Sequence, residues 1–173
     1  MPEAGRTSLN ARLRAAGFEV EGAGEGAGRA MPRVTIASEG ALETLRRLRD
    51  DPALGMRRLV DLTVVDRGGS PRFEVVYVLC APDANESIRV RVAVPEADPV
   101  LDSAVALWPA AGWLEREAFD LFGLRFRGHP DLRRILLPSD FEGAPLRRDP
   151  VGPSADAAAS SAPGATQGGE GAG

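Results

Sequence analysis

Three apolar segments joined by short, turn-rich connections constrain the fold of this 173-residue chain more than any other feature. The segments read RRLVDLTVVD, RFEVVYVLC and SIRVRVAV, and the connections between them read DRGGSP and APDANE. Alternation of apolar and polar residues is typical of a strand with one buried face, and short connections join antiparallel neighbours. The sequence therefore predicts an antiparallel three-strand meander.

The pattern within each segment predicts which side chains face the core. In the first segment, the alternation places Val60, Leu62 and Val64 on one face. The middle segment is apolar on both faces, which predicts an interior strand covered on both sides. The third segment alternates cleanly and directs its β-branched residues inward, namely Ile88, Val90, Val92 and Val94.

The region before the meander predicts two helices and a short strand. Residues 8–17 are expected to form a helix with Ser8 as its N-cap, and RVTIA is expected to form a strand. Ser38 is then expected to cap a second helix, EGALETLRRLRD. The apolar residues on its buried face are Leu42, Leu45 and Leu48.

Two further helices are predicted after the meander. PEADPVLDSAVALW indicates a short helix before Pro109, and AAGWLEREAFDLFG indicates a longer one that ends at Gly123. The complete pattern predicts an α+β domain, in which helices pack on a mixed sheet that contains the meander. A long irregular C-terminal strap follows this domain.

Four regions are expected along the chain. Residues 1–30 hold an N-terminal helix and a glycine-rich loop, and residues 31–122 form the α+β domain. Residues 123–150 form the extended docking strap, which we call the strap throughout. Residues 151–173 are a low-complexity tail that carries a single bulky apolar residue, so we expect the tail to be disordered.

The composition excludes several functional classes. A net charge of −4 does not favour nucleic acid or an anionic membrane as a partner. One cysteine and one histidine allow neither an internal disulfide nor a Cys/His metal site. No apolar run approaches the roughly 20 residues that a membrane helix needs, and the N-terminus lacks a signal pattern. We expect a soluble protein on the cytoplasmic side that reaches a membrane only through partners.

Glu115 occupies an unusual position in the late helix. At 100° per residue it falls inside the apolar arc, whereas Arg116, Glu117 and Asp120 fall on the opposite side. A carboxylate among apolar side chains is costly unless it is paired or hydrogen-bonded. Glu115 therefore either reaches solvent at the edge of the arc or forms a buried pair with Arg133 or Arg134.

The strap has the composition of a docking segment. Prolines at positions 130, 138, 145 and 150 prevent regular structure, yet the segment is rich in large apolar side chains. From Glu115 to Asp149 there are seven acidic residues and seven arginines. A dense and balanced charge set of this kind favours a specific polar interface with another protein.

A catalytic site and a different adaptor role are the alternatives. His129 and the nearby Asp131 could supply a general base, but no serine, cysteine or lysine nucleophile lies close in sequence. An adaptor could instead dock another redox complex through the same strap. The arginines alternate with acids, so no basic stripe for nucleic acid is present.

The segment WLEREAFDLFGLRFRGHPDLRRILLPSDFEGAPLRRD closely resembles the signature of one family. This is the C subunit of bacterial NADH-quinone oxidoreductase, the 30 kDa subunit family of respiratory complex I. The resemblance spans about residues 8 to 150. The following matched residues are expected to form a partner-docking motif: Glu115, Arg116, Glu117, Asp120, Phe122, His129, Pro130, Asp131, Arg133, Arg134, Glu142, Arg147 and Asp149.

The resemblance implies an assembly role. Members of the family hold no flavin, iron–sulfur cluster, metal or quinone of their own, although the complex uses FMN, iron–sulfur clusters and quinone. They lie in the peripheral arm, on the cytoplasmic side of the cell membrane, against the D subunit that helps to form the quinone pocket and near the B subunit. Electron transfer from NADH to quinone and proton translocation belong to the complex. A similar component of a membrane-bound hydrogenase or another quinone-reducing complex is the alternative.

Three positions at the far end of the motif depart from the family pattern. Phe141 stands where tryptophan is usual, Ala144 stands where histidine is usual, and Pro150 stands where an aromatic residue is common. These departures affect the expected contacts at the end of the strap. They leave the resemblance itself intact, because the rest of the motif matches without gaps.

Overall fold

A computed structural model describes residues 7–22 and 31–149. Its main sheet has five strands in the order β1-β2-β5-β4-β3. Strand β2 runs parallel to β5, and the other neighbours are antiparallel. The predicted mixed sheet with its three-strand meander is therefore confirmed. The strands are β1 (Val20–Glu21), β2 (Arg33–Ala37), β3 (Arg58–Asp66), β4 (Phe73–Ala81) and β5 (Glu86–Val94).

Three helices and a small second sheet complete the described part of the chain. The helices are α1 (Leu9–Ala15), α2 (Ala41–Asp50) and α3 (Ala111–Phe122). The second sheet pairs β6 (Val100–Asp102) with β7 (Arg125–Arg127) in parallel. The predicted glycine-rich loop and disordered tail fall largely on residues 23–30 and 150–173, which lie outside the described residues.

The helix predicted for PEADPVLDSAVALW is wrong. Residues 100–102 of that segment form β6, and turns follow up to the start of α3. Pro99 precedes the strand, and its carbonyl accepts a hydrogen bond from Arg125 N–H at 2.9 Å. Leu101 pairs with Phe126 and is buried beside it. Pairing with a strand 25 positions later in the sequence outweighs a weak local preference for helix.

The core lies between one face of the sheet and the helices. The inward residues of β5 are fully buried as predicted, and β4 alternates buried and half-buried side chains. The buried apolar faces of the helices belong to the same core cluster. Strand β4 is interior, as predicted, but its second face, which carries Val76, Val78 and Cys80, is only half-covered.

A β-bulge in β3 overturns the predicted position of Val60. Leu59 pairs with Leu79, whereas Asp61 pairs with the adjacent Val78, so Val60 is the extra residue. The bulge reverses the alternation, which buries Leu59 and leaves Val60 54% exposed. Leu62 and Val64, beyond the bulge, are buried as predicted.

Of the two predicted helix N-caps, one is confirmed and the other is wrong. The Ser8 side chain accepts a hydrogen bond from Ala11 N–H at 3.3 Å, as predicted for α1. In α2 the cap is Gly40 and not Ser38, because Gly40 adopts a left-handed conformation with φ of 70°. The helix therefore starts at Ala41, which is buried, and Leu42 is only half-buried.

The bulge predicts unequal effects of the same substitution in β3. We expect Val64→Thr to lower the free energy of unfolding by about 1–2 kcal/mol, because it buries a hydroxyl group without a partner. Val60→Thr should change it by less than about 0.5 kcal/mol, because this side chain is solvent-exposed. Urea denaturation measures both values, and equal losses would contradict the observed bulge.

Candidate functional site

The strap begins with β7, a short strand that the sequence did not predict, and its remaining residues have no regular structure. Between residues 128 and 149, all of which the structure describes, there is no helix or strand. The backbone polar groups of this segment therefore need partners other than a ladder. Those partners come from α3, from the end of β3, and from within the strap itself.

Glu115 of α3 is fully buried, which confirms that it does not reach solvent, but its predicted arginine pair is wrong. Its carboxylate accepts hydrogen bonds from Ser103 Oγ at 2.6 Å and from Ala104 N–H at 2.7 Å. Burial raises the pKa of Glu115, while these two hydrogen bonds oppose that rise. The helix thus directs Glu115 toward the segment after β6, away from the strap.

Asp120, which the helical wheel places opposite the apolar arc of α3, accepts hydrogen bonds from the backbone of the strap. It is fully buried because the strap covers it. Its Oδ2 accepts hydrogen bonds from three consecutive N–H groups, those of Ile135, Leu136 and Leu137, at 2.9, 2.7 and 3.0 Å. Its Oδ1 accepts one from Arg134 Nη1 at 2.6 Å. We call these four bonds the Asp120 clamp.

The hydrogen bonds keep Asp120 ionised despite its burial. Burial alone raises the pKa of this carboxyl group. The backbone N–H of Leu137, the Arg134 guanidinium and the N–H groups of Ile135 and Leu136 outweigh that effect and lower the pKa to about 2. The carboxylate is therefore negatively charged at neutral pH, and its bonds to the strap are charge-assisted.

Two arginines bind the carbonyl groups of the strap. Arg116 of α3 donates from Nε to Arg133 O and from Nη2 to Arg134 O, both at 3.1 Å. Arg134 donates from Nη2 to Phe141 O at 2.8 Å and to Gly143 O at 3.1 Å. Its guanidinium carbon also lies 5.7 Å from the centroid of the Phe141 ring. The strap is thus bound through its acceptors as well as its donors.

His129 fixes the turn at the start of the irregular segment. Its Nε2 bonds to Gly112 O at 2.9 Å, and its Nδ1 accepts from Asp131 N–H at 3.0 Å. This pair of bonds assigns the neutral tautomer with the proton on Nε2. Both ring nitrogens therefore have backbone partners, and neither is free to take a proton from a substrate in this conformation.

A second buried carboxylate holds the end of the strap. Asp66, at the end of β3, accepts from Arg148 N–H and from Gly68 N–H, both at 2.9 Å. Arg72, also buried, donates from Nη2 to Asp66 at 2.9 Å and contacts Asp149 at the strap's end. We call the bonds of Asp66 to Arg72 and to the Arg148 N–H the Asp66 clamp.

The Asp66 clamp was not predicted from the sequence, although a signal for it was present. Asp66 follows Leu62 and Val64 at spacing two, so the alternation of β3 places it on the buried face. Burial alone raises its pKa, but the bonds from Arg72, Arg148 N–H and Gly68 N–H lower it to about 2. Like Asp120, it is ionised at neutral pH.

The end of α3 also contacts the strap closely. Leu146 N–H donates to Leu121 O at 3.1 Å, and Arg147 Nε donates to Phe122 O at 2.7 Å. Gly123 caps the helix with φ of 71°, as predicted, and an added Cβ there would lie 2.8 Å from Arg147 Nη2. Glycine is therefore favoured at position 123 by its left-handed conformation, and the Arg147 side chain passes close to it.

The residues of the predicted docking motif separate into two groups. Seven have side-chain bonds to residues at least 12 positions away in the sequence, namely Glu115, Arg116, Asp120, His129, Arg134, Arg147 and Asp149. Phe122 is half-buried against the core. The remaining five, Glu117, Pro130, Asp131, Arg133 and Glu142, are exposed, as is Asp149. Asp131 and Arg133 pair with each other at 2.9 Å.

Three large apolar side chains on α3 and the strap are exposed to solvent. Trp113 is 64% exposed, Leu136 is 60% exposed and Leu146 is 53% exposed. None of the three belonged to the predicted docking motif. We call these three residues, together with exposed Glu117, Asp131, Arg133 and Glu142, the strap surface. An open cavity of about 510 Å³ adjoins it, lined by Pro138, Asp140, Phe141 and Glu142.

Metal clusters and membrane-spanning helices are both absent from the described part of the chain. Among the residues that the structure describes, no group of three or more His, Cys, Asp or Glu side chains could hold a metal ion. No helix in residues 7–22 or 31–149 is long and apolar enough to cross a membrane. The expectation that the chain itself binds no cofactor stays a prediction.

Comparison with known sequences gives consistent matches. Residues 34–155 match the family model described as "Respiratory-chain NADH dehydrogenase, 30 Kd subunit". The C subunit of NADH-quinone oxidoreductase from Citrifermentans bemidjiense is 50% identical over 117 residues, which is 67% of this chain and 71% of the relative. A C subunit of the same enzyme from Rhizobium meliloti is 49% identical over 117 residues, which is 67% of this chain but 58% of the relative.

The name of a third relative refers to two subunits. It is the C/D subunit of NADH-quinone oxidoreductase from Methylococcus capsulatus, which is 46% identical over 116 residues. The match covers 62% of this chain and 20% of the relative. A single polypeptide of that organism is therefore named for both the C and the D subunits.

Two solved structures share the fold. A trypsin-resistant fragment of Nqo5 aligns with a TM-score of 0.58 and 37% identity, and it covers 69% of this chain and 93% of the fragment. A chain of the membrane-bound sulfane sulfur reductase, an archaeal respiratory membrane complex, aligns with a TM-score of 0.60 and 20% identity. That alignment covers 75% of this chain and 74% of the other, and it concerns the fold alone.

The environment of Glu115 predicts different effects for two substitutions. Glu115→Ala should lower the free energy of unfolding by about 3 kcal/mol or more, because it leaves a cavity and strands the Ser103 and Ala104 donors. Glu115→Gln should stay within about 1 kcal/mol of the wild type, because the amide has nearly the same shape and can bond to both groups. Urea denaturation at neutral pH compares the two, and equal losses would contradict this environment.

The lowered pKa values of Asp120 and Asp66 predict acid-sensitive stability. A carboxyl group whose pKa falls on folding stabilises the fold fully above its unfolded pKa, near 4, and this stabilisation is lost as pH falls toward the folded value. Each group should contribute roughly 2 kcal/mol at neutral pH. The cost of Asp120→Asn, from denaturation at several pH values, should shrink between pH 5 and pH 2. A cost independent of pH would contradict the assignment.

Proposed function

The chain belongs to the family of the 30 kDa subunit of respiratory-chain NADH dehydrogenase, and on this premise we propose that it is a non-catalytic assembly subunit of an NADH-quinone oxidoreductase. In this role it lies in the peripheral arm, on the cytoplasmic side of the cell membrane, and is attached through its partners. Electron transfer from NADH to quinone and proton translocation are then activities of the complex. FMN, iron–sulfur clusters and quinone are held by other subunits.

The strap surface is the observation that carries this proposal. Trp113, Leu136 and Leu146 are three of the four large apolar residues that are strongly exposed in the described chain. Exposed tryptophan and leucine side chains on α3 and the strap favour burial against another protein, and tryptophan is frequent among the residues that dominate binding energy. The strap is therefore a docking surface for a neighbouring subunit.

The charged residues of the strap surface are suited to the rim of such an interface. Glu117 and Glu142 are exposed, and the Asp131–Arg133 pair is exposed as well. Rim charges of this kind contribute to orientation and to partner choice more than to binding strength. This arrangement supports docking to one specific partner.

The D subunit is the partner that we propose for this surface. The Methylococcus capsulatus relative is named a C/D subunit, so sequences similar to both proteins occur on one polypeptide there. Segments fused into one chain are commonly neighbours in the assembled complex, which supports contact between the two. The B subunit is proposed as a further neighbour on the family resemblance alone.

The contacts of His129 support a non-catalytic role. Its two ring nitrogens bond to Gly112 O and to Asp131 N–H, which is the pattern of a histidine that fixes a turn. A related membrane-bound complex is a weaker alternative, because the sulfane sulfur reductase chain shares only 20% identity. By contrast, the two relatives that are 50% and 49% identical to this chain are NADH-quinone oxidoreductase subunits.

Loss of the apolar anchors should weaken partner binding without unfolding the chain. We expect the double variant Trp113→Ala, Leu136→Ala to lose at least about tenfold in affinity for the D-subunit homologue, because each anchor is worth 1 kcal/mol or more, to order of magnitude. Co-purification and titration of the purified proteins measure this loss. Val60→Ala is the matched control, since Val60 is similarly exposed but lies in β3.

Two outcomes would oppose the docking proposal. Wild-type affinity in the double variant would exclude the strap surface as the interface, and an equal loss in Val60→Ala would place the interface elsewhere. Charge reversal of Arg133 is a useful further test, because its side chain is exposed. Arg134 is unsuitable for this purpose, because its guanidinium is part of the Asp120 clamp.

A further inference from the structure

We propose that the strap is preformed, so that the Asp120 clamp and the Asp66 clamp hold it in its binding conformation in the free protein, before any partner arrives. The proposal rests on the proposed function for the identity of the partner. The order of the strap in the free chain is a separate property that can be measured without a partner. Together, the two clamps make docking a contact between two folded surfaces.

The backbone donors of the strap are bound within the chain. An irregular segment usually leaves backbone N–H groups for water or for a partner to bind. Here three consecutive N–H groups, from Ile135 to Leu137, converge on one carboxylate oxygen of Asp120. Near the end of the strap, Arg148 N–H bonds to Asp66. The domain itself therefore fixes the backbone at two separated points.

Backbone acceptors of the strap are bound in the same way. Arg116 binds the carbonyl groups of Arg133 and Arg134, and Arg134 binds those of Phe141 and Gly143. These bonds bring the strap against α3 and close the loop between the two clamps. A partner that paired with the strap as an added strand would need these groups to be free. These carbonyl groups already accept hydrogen bonds within the chain, which argues against an extended segment or a sheet edge as the partner.

Exposed apolar side chains are what the strap and α3 leave for a partner. These are Trp113, Leu136 and Leu146. Leu136 donates its backbone N–H to Asp120 while its side chain is exposed, so the clamp determines the direction in which this anchor projects. The partner that fits is a folded surface with apolar pockets for these anchors. A flexible segment that orders the strap on binding does not fit.

The clamps are suited to persist at neutral pH and moderate salt. Asp120 and Asp66 both have a pKa of about 2, so both are ionised and both form charge-assisted bonds. Both carboxylates are nearly inaccessible to solvent, which limits screening by dissolved ions. A strap held in this way loses little conformational entropy on docking, and that favours rapid and specific association.

Amide hydrogen exchange of the free, full-length chain tests the proposal directly. The N–H groups of Ile135, Leu136, Leu137 and Arg148 should exchange much more slowly than the rates for an unstructured peptide. Asp120→Asn should reduce protection of residues 135–137 by about thirtyfold or more, because it removes the charge from four bonds. Protection at Arg148 should change far less, because the Asp66 clamp remains.

The reciprocal variant and the controls make the test specific. Asp66→Asn should reduce protection at Arg148 and leave residues 135–137 nearly unchanged. Asp83→Asn makes the same chemical change at an aspartate whose side chain is 86% exposed, and it should alter neither site. Amides of β4 report whether the fold survives. If Asp120→Asn unfolds them, Arg134→Gln weakens the same clamp while retaining the carboxylate.

A binding measurement separates this proposal from the proposed function. Asp120→Asn should weaken binding to the D-subunit homologue mainly by lowering the association rate, because only the fraction of molecules with a closed clamp can dock. Strap amides that exchange at peptide rates in the free wild-type chain would overturn the preformed strap, even if docking occurs. Protected amides without any docking would uphold the strap and overturn the proposed partner.

Discussion

The C-terminal part of this structure depends on the carboxylate of Asp120. One oxygen of this group accepts hydrogen bonds from three consecutive backbone N–H groups, and the other accepts a hydrogen bond from the Arg134 guanidinium. A proline-rich segment cannot satisfy its backbone through a ladder, so a fixed anion on a neighbouring helix provides the partners instead. The strap in turn shields Asp120 from water, which strengthens the same bonds. The Asp120 carboxylate therefore stabilises the strap, and the strap stabilises the buried carboxylate.

Every buried carboxylate of the described chain binds an irregular segment through its backbone. These are Asp66, Glu115 and Asp120, and each accepts at least one backbone N–H from an irregular segment. Asp66 binds the end of the strap, Glu115 binds the connection after β6, and Asp120 binds the middle of the strap. The sheet and helices thus provide a rigid base, and buried acids attach the irregular segments to it.

The sequence predicted the regular part of the fold more successfully than the site. The meander, the mixed sheet and α3 follow from local periodicity, and the burial of Glu115 follows from its place in an apolar arc. Val60 was assigned to the wrong face because a bulge inserts a residue that no periodic pattern reveals. The burial of Asp120 was not predicted, because a helical wheel describes a helix alone and cannot include a strap that covers it. The partner of Glu115 likewise depends on tertiary contacts that a helical wheel does not include. The family resemblance identified the matched residues but not which of their side chains bond within the chain and which face outward.

We propose that the strap keeps its own fold while the exposed side chains of the strap and α3 contact another protein of the complex. A high-resolution structure of the assembled complex tests this most directly. We predict that Asp120 Oδ2 remains within hydrogen-bonding distance of the three N–H groups, and that Trp113, Leu136 and Leu146 are buried by a neighbouring chain. A strap detached from α3, or these three side chains left in solvent, would contradict the account.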